Sequence, residues 1–488
     1  MGLTRRGFVT GLAGLTASPG AAESLLSSPR PLARPANLLT RQIPDAAEII
    51  ASEQLSGRVG FALADAITGE MIEVLHPLRA LPPASTAKAL TALYALENLG
   101  PDYRFSTRTL ATGPLTAGRL EGDLVLAGGG DPVLDTDALW SMVEALHALG
   151  LREIAGGVKV WTSALPRIRE IDSEQPDQVG YNPAVGGLNL NFNRVHFGWS
   201  RNAGGYTVSM DGRSETIVPP VRFARMEVID RGLPIYTYAA DGDIDRWTVA
   251  QSALGRGGAR WLPVRVPGLY AGEVLQQLLL AKGIGSNGPV ERTDAATGTV
   301  LHTHDSPALS GILRGMLQYS TNLTAEVTGL TASLAAGWQG ETLADSAGRM
   351  NSWLSQKYGL RRPLLEDHSG LGDDSALSPA DMVRAMSGAG WEGPLRPLLR
   401  QFDPEDDRLS VSAKTGTLNF VSGLAGYLEG PRGKPLAFSI FCADLPRRDS
   451  LSEAERERPD GGIAWNKSAK RIQRAMLQRW GALYLLPG

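Results

Sequence analysis

Three short polar motifs lie far apart in this chain of 488 residues, and any fold in which they act together must bring distant segments to one place. They are Ser85-Thr86-Ala87-Lys88, Ser320-Thr321-Asn322 and Lys414-Thr415-Gly416. The segment from Tyr103 to about Gly288 mixes short strands, glycine-rich turns and two helical stretches. It is typical of an insert between the first two motifs.

The first motif begins a stretch, residues 85–99, that is rich in Ala and Leu on nearly every face and ends at Gly100 before Pro101. This pattern predicts a helix buried inside a core. A serine hydroxyl is a poor nucleophile unless a base takes its proton, and a spacing of three residues puts Ser85 and Lys88 on one helix face. Burial lowers the pKa of a lysine, as a neutral general base requires.

The other two motifs stand at predicted element boundaries. Ser320-Thr321-Asn322 lies between two predicted helices, and Lys414-Thr415-Gly416 begins a predicted strand. A further S-x-N, Ser200-Arg201-Asn202, lies in a glycine-rich stretch and predicts a turn. The order S-x-x-K, S-x-N, K-T-G is the signature of penicillin-recognising serine enzymes.

Acyl-transfer chemistry then gives each polar residue a role. Five residues are predicted to be catalytic. Ser85 is the nucleophile, and Lys88 and Ser320 carry the proton. Asn322 orients the peptide amide, and Lys414 supplies positive charge. The backbone N–H groups of Ser85 and Thr417 are predicted to form an oxyanion hole. The hydroxyls of Thr415 and Thr417 suit a substrate carboxylate.

From about Val59 through Ala443 the chain resembles the serine D-Ala-D-Ala carboxypeptidase/endopeptidases, a family of low-molecular-mass penicillin-binding proteins. The matching segments are residues 83–88, 128–132, 181–183, 305–307, 322–326 and 413–418. The resemblance implies an α/β (α+β) fold: a penicillin-binding-protein/β-lactamase-like transpeptidase domain, in which an antiparallel sheet has helices on both faces, with inserted β-rich domains. It also implies that the chain acts on peptidoglycan stem peptides through an acyl-enzyme and is acylated by β-lactams.

The predicted domain organisation starts with a twin-arginine export signal, residues 1–22, carried by Thr4-Arg5-Arg6-Gly7-Phe8-Val9 and a modest apolar stretch. A linker, residues 23–40, follows. The catalytic domain is assigned to residues 41–107 and 289–488, inserted domain II to 108–164 and 263–288, and inserted domain III to 165–262. We therefore expect a periplasmic protein.

Two positions depart from the family pattern. The D-G-S-G-L-S-R loop of the family is Asp367-His368-Ser369-Gly370-Leu371-Gly372-Asp373 in this chain, so an acidic residue replaces a basic one. An Asp of the insert that would meet the free amine of the substrate is replaced by Trp161. The predicted substrate-binding residues are Thr415, Gly416, Thr417, Ser369 and Trp161, although packing between inserted domains is an equal alternative for Trp161.

Composition narrows the partners. The formal net charge of −3 does not indicate the excess of basic residues that is typical of nucleic-acid-binding proteins. The one cysteine, Cys442, excludes an intrachain disulfide and predicts a buried thiol. No cofactor is expected, and no metal site, because His302 and His304 lack further ligands nearby. The stripe Ile472, Met476, Trp480 and Leu483 of a C-terminal helix predicts core packing, with peripheral membrane contact at most. The sequence does not indicate the oligomeric state.

Three other functions stay open. A β-lactamase-like or esterase-type serine hydrolase would share the same nucleophile, although the E-x-x-L-N segment of one β-lactamase class is missing. A non-catalytic binding protein of the same fold is the third, and it would have no reason to keep all five polar residues together.

Overall fold

The computed structural model describes residues 43–486. The predicted export signal and most of the linker, residues 1–22 and 23–40, lie outside the described residues. The α-helices of the described part are α1 (Ala46–Ser52), α2 (Ala87–Leu99), α3 (Thr136–Ala148), α4 (Pro267–Ala281), α5 (Leu309–Tyr319), α6 (Asn322–Ala335), α7 (Leu343–Tyr358), α8 (Pro379–Gly388), α9 (Leu445–Asp449), α10 (Glu453–Arg456) and α11 (Gly462–Trp480).

Most strands are short, and nearly all of those between residues 106 and 305 belong to the predicted insert. In chain order the strands are β1 (Arg58–Asp65), β2 (Met71–Leu75), β3 (Ser106–Ala111), β4 (Leu115–Thr116), β5 (Arg119–Leu120), β6 (Leu124–Ala127), β7 (Glu153–Ile154), β8 (Val158–Trp161), β9 (Arg194–Asn202), β10 (Gly205–Asp211), β11 (Ala224–Ile229), β12 (Tyr236–Asp241), β13 (Ile244–Ala250), β14 (Gly257–Pro263), β15 (Gly285–Ser286), β16 (Glu291–Arg292), β17 (Thr299–Asp305), β18 (Arg400–Phe402), β19 (Ser410–Leu418), β20 (Val421–Glu429) and β21 (Leu436–Ala443).

A six-stranded antiparallel sheet joins the two ends of the described chain, in the order β18-β19-β20-β21-β1-β2. Strand β1 shows why both faces are covered, because successive side chains of a strand point to opposite faces. Phe61 and Leu63 pack into a core with α11, whereas Ala62 and Ala64 pack into the core that contains α2. The predicted antiparallel sheet with helices on both faces is confirmed.

Helix α2 lies in the centre of the second of these cores. Its residues from Ala87 through Tyr94 are buried, and it packs against α5, α6 and α7. A helix enclosed in this way needs apolar residues on every side, which is what its sequence provides. The buried helix predicted after Ser85 is confirmed, although its first residues form a 3₁₀ turn, Ala84–Thr86. Helix α7 was not predicted.

The insert contains four small sheets and a hydrophobic core of its own. Strand β17 pairs with β3 in a five-stranded sheet of the order β16-β8-β6-β3-β17. Residues 291–305 therefore pair with strands of the insert. The predicted boundary at residue 289 and the division of the insert into domains II and III stay predictions.

Helix α11 closes the chain against the six-stranded sheet. Ile472, Met476 and Trp480 are buried in that core, as the stripe predicts, while Leu483 beyond the helix is 43% exposed. Within residues 43–486, no helix has the length and apolar character needed to cross a membrane.

Candidate active site

Ser85 lies in the 3₁₀ turn that leads into α2. The hydroxyl of Thr86 donates a 2.6 Å hydrogen bond to the carbonyl of Pro83 and closes the turn. Ala84 and Thr86 are buried, whereas Ser85 is half-buried and faces a cleft. The turn therefore holds the serine at the edge of the core, where a substrate can reach it.

Two glycines make room for this turn. A Cβ atom on Gly416 would lie 2.6 Å from the carbonyl oxygen of Pro83, and one on Gly370 would lie 2.1 Å from that of Ala84. Gly370 also has a φ of +72°, which disfavours any other residue. Gly416, predicted to bind substrate, is buried, and its lack of a side chain lets β19 pass against the nucleophile turn.

Lys88 is fully buried on the first turn of α2 and has three hydrogen-bond acceptors. Its Nζ lies 2.9 Å from Oγ of Ser85, 2.7 Å from Oδ1 of Asn322 and 2.8 Å from the carbonyl oxygen of Ser369. The structure thus brings together Ser85, Lys88 and Asn322, which are separated in sequence, as predicted.

The chemistry of these partners determines which way the proton moves. The carbonyl of Ser369 can only accept, and Asn322 presents its oxygen to Lys88 because its Nδ2 donates to the carbonyl of Tyr181 at 2.9 Å. A neutral amine has two N–H bonds and one lone pair. The two acceptors take both N–H bonds, so the lone pair of Lys88 is left for the hydroxyl proton of Ser85.

Burial lowers the pKa of Lys88 from its ordinary value, while the negative charges of Asp367 and Glu326 oppose part of that shift. Desolvation disfavours the ammonium form because water no longer solvates it. The neutral amine that the geometry requires is therefore accessible closer to neutral pH than for a lysine in water.

Ser320 and Lys414 form a second pair of polar groups. Ser320 follows α5 in the left-handed conformation, with a φ of +61°, which turns the chain sharply into α6. The Nζ of Lys414, on β19, donates to Oγ of Ser320 at 2.9 Å and to the carbonyl of Thr415 at 2.7 Å. The hydroxyl of Ser320 can therefore pass a proton between Lys414 and a substrate in the cleft.

The charge of Lys414 depends on what occupies the cleft. Burial, followed by repulsion from Lys88 and Arg400, lowers the pKa of Lys414 to about 6. Two buried cations close together disfavour each other, so the neutral form of Lys414 is more accessible than that of a lysine in water. A carboxylate arriving in the cleft would raise that pKa and bring about the positive charge that the sequence predicts.

The cleft beside Ser85 has a volume of about 370 Å³. Most of its lining residues are polar or charged, and they come from both ends of the chain and from the insert: Ser85, Gln175, Tyr181, Ser320, Asn322, Gly370, Leu371, Asp373, Thr417, Leu418, Asn419, Arg448, Asp449, Leu451, Arg456, Glu457 and Asn466. Three of the five predicted catalytic residues line it, and the two lysines lie behind them.

The model of the D-Ala-D-Ala carboxypeptidase 3 (S13) family matches residues 43–460. The chain belongs to this family. It is 27% identical to a D-alanyl-D-alanine carboxypeptidase of Actinomadura sp. (strain R39), over 82% of this chain and 81% of that protein. It is 24% identical to D-alanyl-D-alanine carboxypeptidase DacB of Haemophilus influenzae, over 86% of this chain and 90% of that protein. The predicted family and the assignment as a serine-type peptidase are confirmed.

The fold of this S13 peptidase is similar to that of a solved relative. The crystal structure of penicillin binding protein 4 (dacB) from Haemophilus influenzae superposes with a TM-score of 0.73 at 20% identity, covering 91% of this chain and 100% of that one. The predicted penicillin-binding fold is therefore confirmed.

The structure places the predicted substrate-binding residues of this S13 peptidase at different distances from the cleft surface. Thr417 is exposed and lines the cleft, whereas Thr415 is half-buried and is not among the residues that line it. Ser369 is fully buried, and its backbone carbonyl rather than its hydroxyl serves the site by accepting from Lys88. Thr417 is thus the residue of this set whose side chain a substrate can touch.

Trp161 lies at the end of β8, in the five-stranded sheet of the insert. It packs against a small cluster of Leu110, Val125 and Ala127 and does not line the cleft beside Ser85. This placement favours the packing alternative over contact with a substrate amine. Trp161 was assigned to the position where the family has an Asp, but such an assignment in a divergent insert does not determine which way the side chain faces.

The acidic departure in the loop has a structural counterpart. Asp373 lines the cleft and forms an ion pair with Arg448, which lies 75 residues further along the chain, on α9. The basic group missing from the loop is thus supplied from another element, and the position is neutral as a pair. Sequence reasoning missed Arg448 because nothing near it in the chain marks it as part of the site.

The sequence also gave no role to two buried acids beside Lys88, namely Glu326 and Asp367. A signal was present, since a Glu within the apolar helix α6 needs a partner in the core. His302 and His304 lie on β17, and among the described residues no group of three or more His, Cys, Asp or Glu is arranged to hold a metal ion.

Proposed function

We propose that this S13 peptidase removes the terminal D-alanine from peptidoglycan stem peptides through an acyl-enzyme on Ser85. The observation that carries the proposal is the position of Lys88, whose lone pair is left for the Ser85 proton when its other two partners are satisfied. Oγ of Ser85 attacks the carbonyl of the penultimate D-alanine while Lys88 takes the proton.

The rest of the cleft serves the later steps. The N–H groups of Ser85 and Thr417 would stabilise the oxyanion of the tetrahedral intermediate. Ser320, hydrogen-bonded to Lys414, would deliver a proton to the amine of the leaving D-alanine. Water then attacks the acyl-enzyme, with the same groups acting in reverse, and the free serine is restored.

A β-lactam would enter the same chemistry at its first step. Its strained amide and carboxylate match the oxyanion donors and the region of Lys414 and Thr417, so Ser85 becomes acylated. Peptidoglycan peptides and β-lactams are therefore the proposed ligands. Endopeptidase action on cross-linked peptides uses the same acyl-enzyme and differs only in the size of the leaving amine.

The direct test is the release of D-alanine from a stem pentapeptide ending in D-Ala-D-Ala. We expect one equivalent of D-alanine per peptide and no release of the terminal L-alanine from the same peptide ending in D-Ala-L-Ala, because inverting that centre moves its carboxylate away from Thr417. A cross-linked dimer assayed in parallel measures the endopeptidase share. Equal release from both stereoisomers would contradict the proposal.

We further propose a periplasmic location through the twin-arginine route, on the strength of Arg5 and Arg6. Arg5→Lys together with Arg6→Lys should leave the protein in the cytoplasm, because that route is read by a receptor that requires the pair. Fractionation of cells followed by penicillin labelling measures the location. Normal export of the double variant would point to an ordinary secretory route and would leave the enzymatic proposal intact.

A further inference from the structure

Two buried carboxyl groups flank Lys88 and have no part in the mechanism above. Glu326, on α6, is fully buried, and Asp367, in the loop between α7 and α8, is 1% exposed. Buried acids are costly unless they are paired or hydrogen-bonded. Each of these two carboxyl groups therefore needs hydrogen bonds or a nearby positive charge to be stable beside Lys88.

Asp367 organises the loop that contacts Lys88. Its carboxylate accepts hydrogen bonds from the N–H groups of Ser369 at 2.9 Å, Gly370 at 2.5 Å and Gly372 at 2.7 Å. These three hydrogen bonds fix the conformation of residues 369–372. The loop wrapped around this carboxylate presents the carbonyl of Ser369 to Nζ of Lys88.

Glu326 holds the same loop from the helix side. Its Oε2 accepts from the N–H of His368 at 2.9 Å, while no hydrogen-bond partner is found for Oε1 among the described residues. Glu326 follows Asn322 by four residues, which places both on one face of α6. That face thus carries Asn322, which accepts a hydrogen bond from Lys88, and Glu326, which holds the loop whose Ser369 carbonyl also accepts from Lys88.

We infer that Glu326 is a positioning residue for the reaction, holding the loop 367–369 against Lys88 and providing, together with Asp367, the counter-charge for the Lys88 ammonium. The inference rests on the proposed role of Lys88 as the base. When Lys88 takes the proton of Ser85, a positive charge forms at a fully buried side chain, and nearby carboxylates stabilise it.

The other charged groups around Lys88 do not provide this counter-charge. Lys414, from β19, repels it, and Arg400 lies near Lys414. His368 is neutral, because burial lowers its pKa to about 3. Burial, followed by repulsion from Asp367, raises the pKa of Glu326, whereas a positive charge on Lys88 lowers it, so a charged Lys88 and an ionised Glu326 favour each other.

The test is Glu326→Gln, which keeps the volume and the acceptor for His368 N–H but cannot ionise. The rate of acylation by penicillin is measured against pH. We expect the acidic limb to move about one unit toward lower pH, because the ammonium form of Lys88 loses support. We expect the plateau rate to fall about tenfold, since the charge formed in the transition state is less well stabilised.

The matched control is Thr328→Val, on the same helix. Thr328 is also fully buried, but its hydroxyl donates to the carbonyl of Thr324 within α6. We expect the control to lose some thermal stability and to keep the wild-type pH profile. A Glu326→Gln protein that melts like the control and keeps the wild-type limb and plateau would overturn the inference.

A second variant covers the case in which Glu326→Gln does not fold. Glu326→Asp keeps the acid but shortens its reach to the N–H of His368, so we expect the rate to fall with the limb retained. Wild-type rates at every pH in a folded Glu326→Asp protein would overturn the inference. A wild-type protein that is not acylated at all would instead refute the proposed function, so the two failures are distinguishable.

Discussion

Replacing Ser85 by alanine is expected to abolish penicillin labelling and to lower kcat/KM for D-alanine release by about 10⁴-fold or more. The reason is that, among the described residues, Ser85 is the only hydroxyl hydrogen-bonded to Nζ of Lys88, since Asn322 and Ser369 present oxygens that only accept. Intact-protein mass spectrometry after incubation with penicillin should show one adduct per wild-type chain and none on Ser85→Ala.

Ser352→Ala is the control for this experiment. Ser352 is exposed on α7, where its hydroxyl donates to the carbonyl of Gly348 within the helix, so its loss should leave labelling and kcat/KM within about twofold of wild type. An adduct that persists on Ser85→Ala would place the nucleophile elsewhere, with Ser320 as the first position to map.

The parts of the fold that sequence predicted are those whose pattern is local. The apolar run after Ser85, for example, suits an enclosed helix. The antiparallel sheet was implied by the family resemblance instead, and its six strands come from both ends of the described chain. Pairing between segments hundreds of residues apart leaves no periodic trace in the sequence.

In the candidate site, sequence identified groups that react and missed groups that support them. Ser85, Lys88 and Asn322 were found because their spacing is tied to chemistry. Glu326 lies within the matching segment 322–326, but no role could be predicted for it, because its contact with the N–H of His368 depends on how a distant loop folds. For Trp161 the sequence left substrate contact and packing equally open, and its contacts with Leu110, Val125 and Ala127 favour packing.

The site also holds more buried charge than its motifs suggest. Lys88 and Lys414 repel each other, and burial lowers the pKa of both. A cluster with two lysines and two acids can hold its protons in several arrangements, so the arrival of a substrate carboxylate can shift them without large movement.

Replacing Lys88 by methionine is expected to lower the acylation rate by about 10²- to 10⁴-fold, which is the usual contribution of a general base. Methionine fills the space of the lysine stem in a fully buried position, so we expect a folded protein, to be checked by thermal melting. The wild-type rate should rise as pH increases through the pKa of Lys88, because the neutral amine is the active form. That limb should be missing in Lys88→Met.

Lys357→Met is the matched control, because Lys357 is an exposed lysine on α7 whose ammonium pairs with Glu97 at 2.7 Å. A surface ion pair contributes little, so this variant should keep both the rate and the pH limb of wild type. If Lys88→Met acylated within about tenfold of wild type and kept the limb, the base would be another group. Lys414 acting through Ser320 would then be the candidate, since its pKa is also lowered and its Nζ lies 2.9 Å from that hydroxyl.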